Sequence, residues 1–129
     1  MRLGILLPAL LLVAGTHART SDAGTKVRRI EVKKDQIVVV KTAPTIATII
    51  QVPDRPNSVV LGNQSAFQVE YLDTAVTVKS LVARARGNLY IYTDYHRYSV
   101  ELVTGDEGRA DYIVYLDVPR SPPISPSLS

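Results

Sequence analysis

The feature that most constrains this chain is a two-residue alternation of apolar and polar side chains, repeated in run after run. Phe67, Val69 and Tyr71 alternate with Gln68 and Glu70, and Val76 and Val78 flank Thr77. Leu89 and Ile91 stand opposite Tyr90 and Tyr92. Tyr98, Val100 and Leu102 alternate with Ser99 and Glu101, and Tyr112, Val114 and Leu116 fall on one side of the run 110–118. Successive side chains of a strand point to opposite faces, so each run reads as a half-buried strand. Shorter apolar runs at 36–41, 45–52 and 58–61 read as strands too. Turn chemistry separates them. Pro53-Asp54-Arg55-Pro56-Asn57 cannot continue a central strand, because proline lacks the ladder donor. Gly62-Asn63-Gln64 reads as a turn and Leu72-Asp73-Thr74 as a tight link. Thr104-Gly105-Asp106-Glu107-Gly108 reads as a hairpin loop with glycines at the strained positions. Residues 79–86 are the only ambiguous stretch and read as a loop into the strand at Asn88. The pattern predicts an all-β domain over residues 27–118, a two-sheet antiparallel β-sandwich of immunoglobulin-like type.

The ends of the chain differ from this body. Met1-Arg2 is a positive start, Leu3 to Val13 is almost wholly apolar, and Thr16-His17-Ala18 supplies a small-x-small site. That is the pattern of a secretory signal peptide, residues 1–18. Its apolar run is well short of the ~20 residues that span a bilayer. Residues 19–26 read as a flexible leader. Residues 119–129 are nearly all proline and serine and read as a tail or linker stub, or as a ligand for a partner groove. The pattern predicts export across a membrane.

Composition then narrows the chemistry. The chain holds 15 Lys and Arg against 12 Asp and Glu. Loss of Arg2 with the signal leaves 15 − 1 = 14 basic side chains, an excess of two, scattered along the chain. This is not the basic stripe that nucleic-acid binding needs. Without cysteine there is no disulfide, no thiolate metal site and no thiol catalysis. Beyond the signal one histidine remains, His96. Asp94 and Ser99 lie near it, but no nucleophile elbow surrounds them. The carboxylates Asp54, Asp73, Asp94, Asp106 and Glu107 sit mostly in turns, where Asx bonds explain them. No Gly-rich phosphate loop opens a helix. The reading is a non-enzyme with no cofactor and no metal.

Tyrosine is the distinctive usage, seven against no tryptophan. Tyrosine serves both cores and interfaces. The residues assigned to partner contact are Arg84, Arg86, Tyr92, Asp94, Tyr95, His96 and Arg97, grouped as an Arg84/Arg86 loop and the turn 94–97.

The order of elements from Thr45 to Leu102 resembles the N-terminal domain of the CagX/TrbG-type conjugal transfer family, a component of the type IV secretion core complex. The residues carrying the resemblance are Thr45-Ile46 to Pro53 and Val60-Leu61-Gly62-Asn63 before Phe67. Val76-Thr77-Val78-Lys79, Asn88-Leu89-Tyr90-Ile91-Tyr92-Thr93 and Arg97-Tyr98-Ser99-Val100-Glu101-Leu102 follow in order. Asn63 replaces the family's usual aspartate, Ser80 its proline, and Arg97 and Tyr98 are adjacent where the family often spaces them. The resemblance covers about half of the chain after the signal, and the family's second β-domain has no counterpart here. It implies a periplasmic structural subunit of a secretion or conjugation complex. Such a subunit would lie in the periplasm, assemble with other secretion-complex proteins and copies of itself into an oligomeric ring, and associate with the outer membrane only through those partners. The alternative is a stand-alone β-sandwich module that binds glycan or peptide.

Overall fold

The computed structural model describes residues 26–119. The expected signal peptide, nearly all of the leader and residues 120–129 lie outside them. Among the described residues nine strands form in chain order. They are β1 (Val27–Glu31), β2 (Ile37–Thr42), β3 (Ala47–Gln51), β4 (Ser58–Leu61) and β5 (Phe67–Leu72). β6 (Ala75–Ser80), β7 (Arg86–Tyr92), β8 (Arg97–Thr104) and β9 (Ile113–Asp117) complete the set. One sheet runs β1-β9-β3-β6-β5 and the other β2-β8-β7-β4. The inward residues of both meet in one core, which makes the architecture sandwich-like. Ile50, Val76, Val78, Val114 and Leu116 come from the first sheet. Val38, Val40, Leu89, Ile91, Val100 and Leu102 come from the second. Each such side chain contributes roughly 1.5–3 kcal/mol when fully buried, so burial alone can carry a fold without cysteine.

The alternation placed β2 to β9, and the inward faces of β7 and β8 are buried as it required, but Tyr71 is 47% exposed, Thr77 is buried beside Val76 and Val78, and three further details differ. The sheets are mixed, not antiparallel: β1–β9, β3–β9 and β2–β8 are parallel pairs. Only β5–β6 and β7–β8 are consecutive strands paired in one sheet. A strand arriving from the opposite sheet has no tight turn to dictate its direction, so it can pair either way. Residues 104–108 accordingly form no hairpin. They carry the chain from one sheet to the other and lead into a single 3-10 turn, Glu107–Arg109. Gly105 and Gly108 have ordinary φ and open space around them, so neither is needed for strain. Finally, β1 joins a sheet edge although its sequence, Val-Arg-Arg-Ile-Glu, was not read as a strand.

The link at Asp73 behaves as read. Leu72 pairs with Ala75, leaving a two-residue turn with Asp73 at φ 52°. Aspartate tolerates that left-handed region better than most side chains. Arg86, assigned to a loop, instead opens β7. Tyr112 precedes β9 and is exposed, while Val114 and Leu116 are buried as expected.

Two polar devices tie the sheets together. Asp111, just before β9, is 3% exposed. It accepts from Arg28 Nε (2.8 Å) and Nη2 (2.9 Å) of β1 and from the Lys41 backbone N–H (2.9 Å) of β2. Arg28 Nη2 also donates to the Val39 carbonyl at 2.8 Å. Farther inside, the Thr104 hydroxyl lies 3.0 Å from both the Thr42 and Ser80 hydroxyls.

Candidate functional site

The four-stranded sheet has an inner face in the core and an outer face without cover among the described residues. Strand register decides what meets on that outer face. Ile37 of β2 pairs with Ser99 of β8, Ser99 with Tyr90 of β7, and Tyr90 with Val60 of β4. These four residues form one row across all four strands. In the next row Val39 pairs with Glu101, and Glu101 with Asn88. At one end of the sheet Arg97 pairs with Tyr92, and at the other Arg86 pairs with Val103.

The row is apolar but for Ser99, and it is open at its two ends. Ile37 is 65% exposed and Val60 53%, and Val39 of the next row is 42% exposed. Strands that bury only one face do not usually carry large aliphatics on the other. A concavity of about 580 Å³ over the same face is lined by Ile37, Arg86, Asn88, Tyr90, Ser99 and Glu101, among others. Both strands that bring the exposed aliphatics, β2 and β4, are edge strands. An exposed apolar edge is a hazard for unwanted association, and proteins usually place charge or proline there.

Ion pairs frame the row. Arg97 Nη2 lies 2.8 Å from Asp35 Oδ1, across from the β7–β8 turn. The hydrogen bond and charge of Asp35, with a further contribution from Tyr92, hold the Arg97 guanidinium above its ordinary pKa. Arg86 Nη2 lies 2.8 Å from Glu101 at the opposite end. Six residues of strand separate Arg86 from Tyr92, about 20 Å at the usual rise.

The assigned contact residues therefore divide into three groups. Arg86, Tyr92 and Arg97 share the outer face. Asp94, Tyr95 and His96 cap one end of it in the β7–β8 turn. Arg84 sits before β7 at the far end with φ 58°, a left-handed conformation uncommon for arginine. It lines a different recess with Lys41, Asp106 and Arg109. Arg84 and the turn at 94–97 thus lie at opposite ends of β7. The sequence reading did not single out Ile37, Val39 or Val60 as contact residues. A signal was present: 37–40 and 59–61 are apolar at both strand parities, as in a strand buried on both sides.

The turn itself is built by Thr93. Its hydroxyl accepts from the backbone N–H groups of Tyr95 (3.1 Å) and His96 (3.0 Å). Asp94 accepts from Asn57 Nδ2 at 2.7 Å, fastening the turn to the segment before β4. The carboxylate beside His96 is Asp54, 3.8 Å from Nδ1, and not Asp94. Ser99 belongs to the outer-face row. No group of three or more His, Asp or Glu side chains able to hold a metal occurs among the described residues.

A second concavity, about 760 Å³, opens beside this turn. Val32, Lys33, Lys34, Asp35, Tyr95, His96, Arg97, Tyr98, Val118 and Pro119 line it. Tyr95 is 76% exposed there, whereas Tyr98 is 2% exposed. The Tyr98 hydroxyl is buried and has no hydrogen-bond partner among the described residues. Burial, with smaller contributions from the Asp54 and Asp117 carboxylates, pushes the Tyr98 phenol up from 10.0 to about 12.

Against known proteins, the chain matches no family model and no curated sequence. No helix among the described residues is long and apolar enough to cross a membrane.

Proposed function

We propose that the protein is a periplasmic structural subunit of a type IV secretion or conjugation-type envelope complex that acts by protein–protein assembly and not by catalysis. The observation that carries the assembly reading is the row Ile37–Ser99–Tyr90–Val60, a largely apolar band across a whole sheet, exposed at Ile37 and Val60 and flanked on either side by an ion pair. Interfaces combine an apolar or aromatic centre with a polar rim, and this face has that layout. The envelope context rests on the export pattern and on the ordered elements resembling the CagX/TrbG-type domain. Immunoglobulin-like kinship of the sandwich belongs to the same proposal.

The β2 edge is poorly suited to strand addition. Its Val39 carbonyl is taken by Arg28, and the Lys41 N–H and carbonyl are held by Asp111. Among the described residues β4 pairs on one side only, with β7, so its outer edge is the open one on this sheet. Partner chains, including other copies of this one, then meet the apolar band and the β4 edge together.

The test is a photo-crosslinking amino acid at position 60 or 90, compared with position 68 on the other sheet. Crosslinks to an envelope protein or to a second copy from positions 60 and 90, with none from 68, support the reading. Equal labelling from all three positions, or none from any, removes this face as the contact surface.

A further inference from the structure

The groove beside the β7–β8 turn has a chemical bias that the outer face lacks. Its aromatic groups are Tyr95, His96 and Tyr98, and the His96 and Tyr98 ring centroids are 5.9 Å apart. Its donors outnumber its acceptors: the ammonium groups of Lys33 and Lys34 and the Tyr98 hydroxyl stand against Asp35, which Arg97 already engages. A buried hydroxyl with no partner is costly, and native structures rarely leave one without a reason.

A ligand rich in free carbonyls would suit such a groove. Proline has no N–H, and an extended polyproline helix leaves all its carbonyls unpaired. Proline-rich segments dock in aromatic-lined grooves for this reason. Pro119 is part of the groove lining, and the sequence continues from it as Arg120-Ser121-Pro122-Pro123-Ile124-Ser125-Pro126. Pro119 with Pro122, and Pro123 with Pro126, each make a P-x-x-P spacing. Three residues per turn places the members of such a pair on one face of a polyproline helix. Extended, residues 120–129 span about 31 Å, ample for a groove that begins at their own tether.

We propose that this groove is a polyproline-binding site whose occupant is the chain's own stretch 120–129, docked in cis with a carbonyl accepting from the Tyr98 hydroxyl. The tether makes docking intramolecular, so weak contacts suffice at the high effective concentration it provides.

The experiment compares amide NMR spectra of the chain lacking residues 1–18 with those of its Pro122→Ala, Pro123→Ala, Pro126→Ala variant. The expected result is shift changes concentrated at Lys33, Lys34, Tyr95, His96 and Tyr98, unchanged on dilution. A synthetic peptide of residues 119–129 added to the triple variant should shift the same amides back. Adding Tyr98→Phe to that variant should weaken peptide binding roughly 3- to 10-fold, the loss of one hydrogen bond. Shift changes that fade on dilution would overturn docking in cis. No change at the groove would overturn the site, and equal peptide affinity with Tyr98→Phe would overturn the assigned hydrogen bond.

Discussion

Replacing Asp111 by alanine tests how the two sheets are held together. The wild-type carboxylate receives three hydrogen bonds, two from Arg28 and one from the Lys41 backbone. Asp111→Ala leaves the Lys41 N–H without this acceptor, at about 1–3 kcal/mol for an orphaned buried donor. It also releases Arg28, whose side chain is 33% exposed and can partly rehydrate. The full 3–5 kcal/mol for breaking a buried ion pair therefore does not apply, and about 1–2 kcal/mol is the appropriate scale. The backbone bond from Asp111 N–H to the Lys41 carbonyl and that from the Thr48 hydroxyl to the Asp111 carbonyl survive the substitution. The expected net loss is about 2–5 kcal/mol, read as a lowered urea midpoint at unchanged slope. Asp111→Asn keeps an acceptor oxygen for Lys41 and should lose roughly half as much. In a double-mutant cycle, Arg28→Met and Asp111→Ala should couple by about 1 kcal/mol or more. A loss below about 1 kcal/mol for Asp111→Ala, or no coupling to Arg28, would refute the idea that this cluster clasps the sheets.

Four further outcomes are expected. Gly87→Ala should cost about 1–3 kcal/mol in denaturant unfolding, because a Cβ there would sit 2.9 Å from Asn63 Cβ and 3.2 Å from the buried Phe67 ring. Arg84→Gly should instead leave stability unchanged or raise it by up to about 1 kcal/mol in the same assay, since glycine relieves the left-handed backbone. Tyr98 holds its proton more tightly when folded, so its contribution is complete below pH 10 and declines as pH rises toward about 12. Unfolding free energy should fall by roughly 1–3 kcal/mol across that window, and Tyr98→Phe should remove that share of the decline. Ile37→Lys with Val60→Lys should change stability by less than about 1 kcal/mol, both sites being exposed, while reducing crosslinked assembly several-fold on gels.

How much of this was legible in the sequence follows from what alternation encodes. Period-two patterning specifies which face of a strand is buried, and Val100, Leu102, Leu89 and Ile91 lie inward as it required. It carries no information about which strand is the neighbour or which way it runs. The parallel pairs of β9 with β1 and β3 were invisible for that reason. β1 was missed because Arg28 and Arg29 obscure it. Arg28 reaches across to Asp111, and Arg29 lies over the Tyr115 ring at 4.3 Å while pairing with Asp117. Tyr92, Arg97 and Arg86 could be singled out because aromatic and charged side chains advertise surface roles. Ile37 and Val60 could not, since an aliphatic residue in a strand is ordinarily core. Only the register, which joins positions 37, 99, 90 and 60, reveals the band they make.

The measurement that bears most directly on the central claim is crosslinked recovery of the tagged protein from native envelopes, with partners identified by mass spectrometry. Assembly as a structural subunit predicts a large complex containing a channel-forming or lipoprotein partner, lost with Ile37→Lys and Val60→Lys. Recovery of the monomer alone, with no envelope partner, would contradict it and favour a stand-alone glycan- or peptide-binding module.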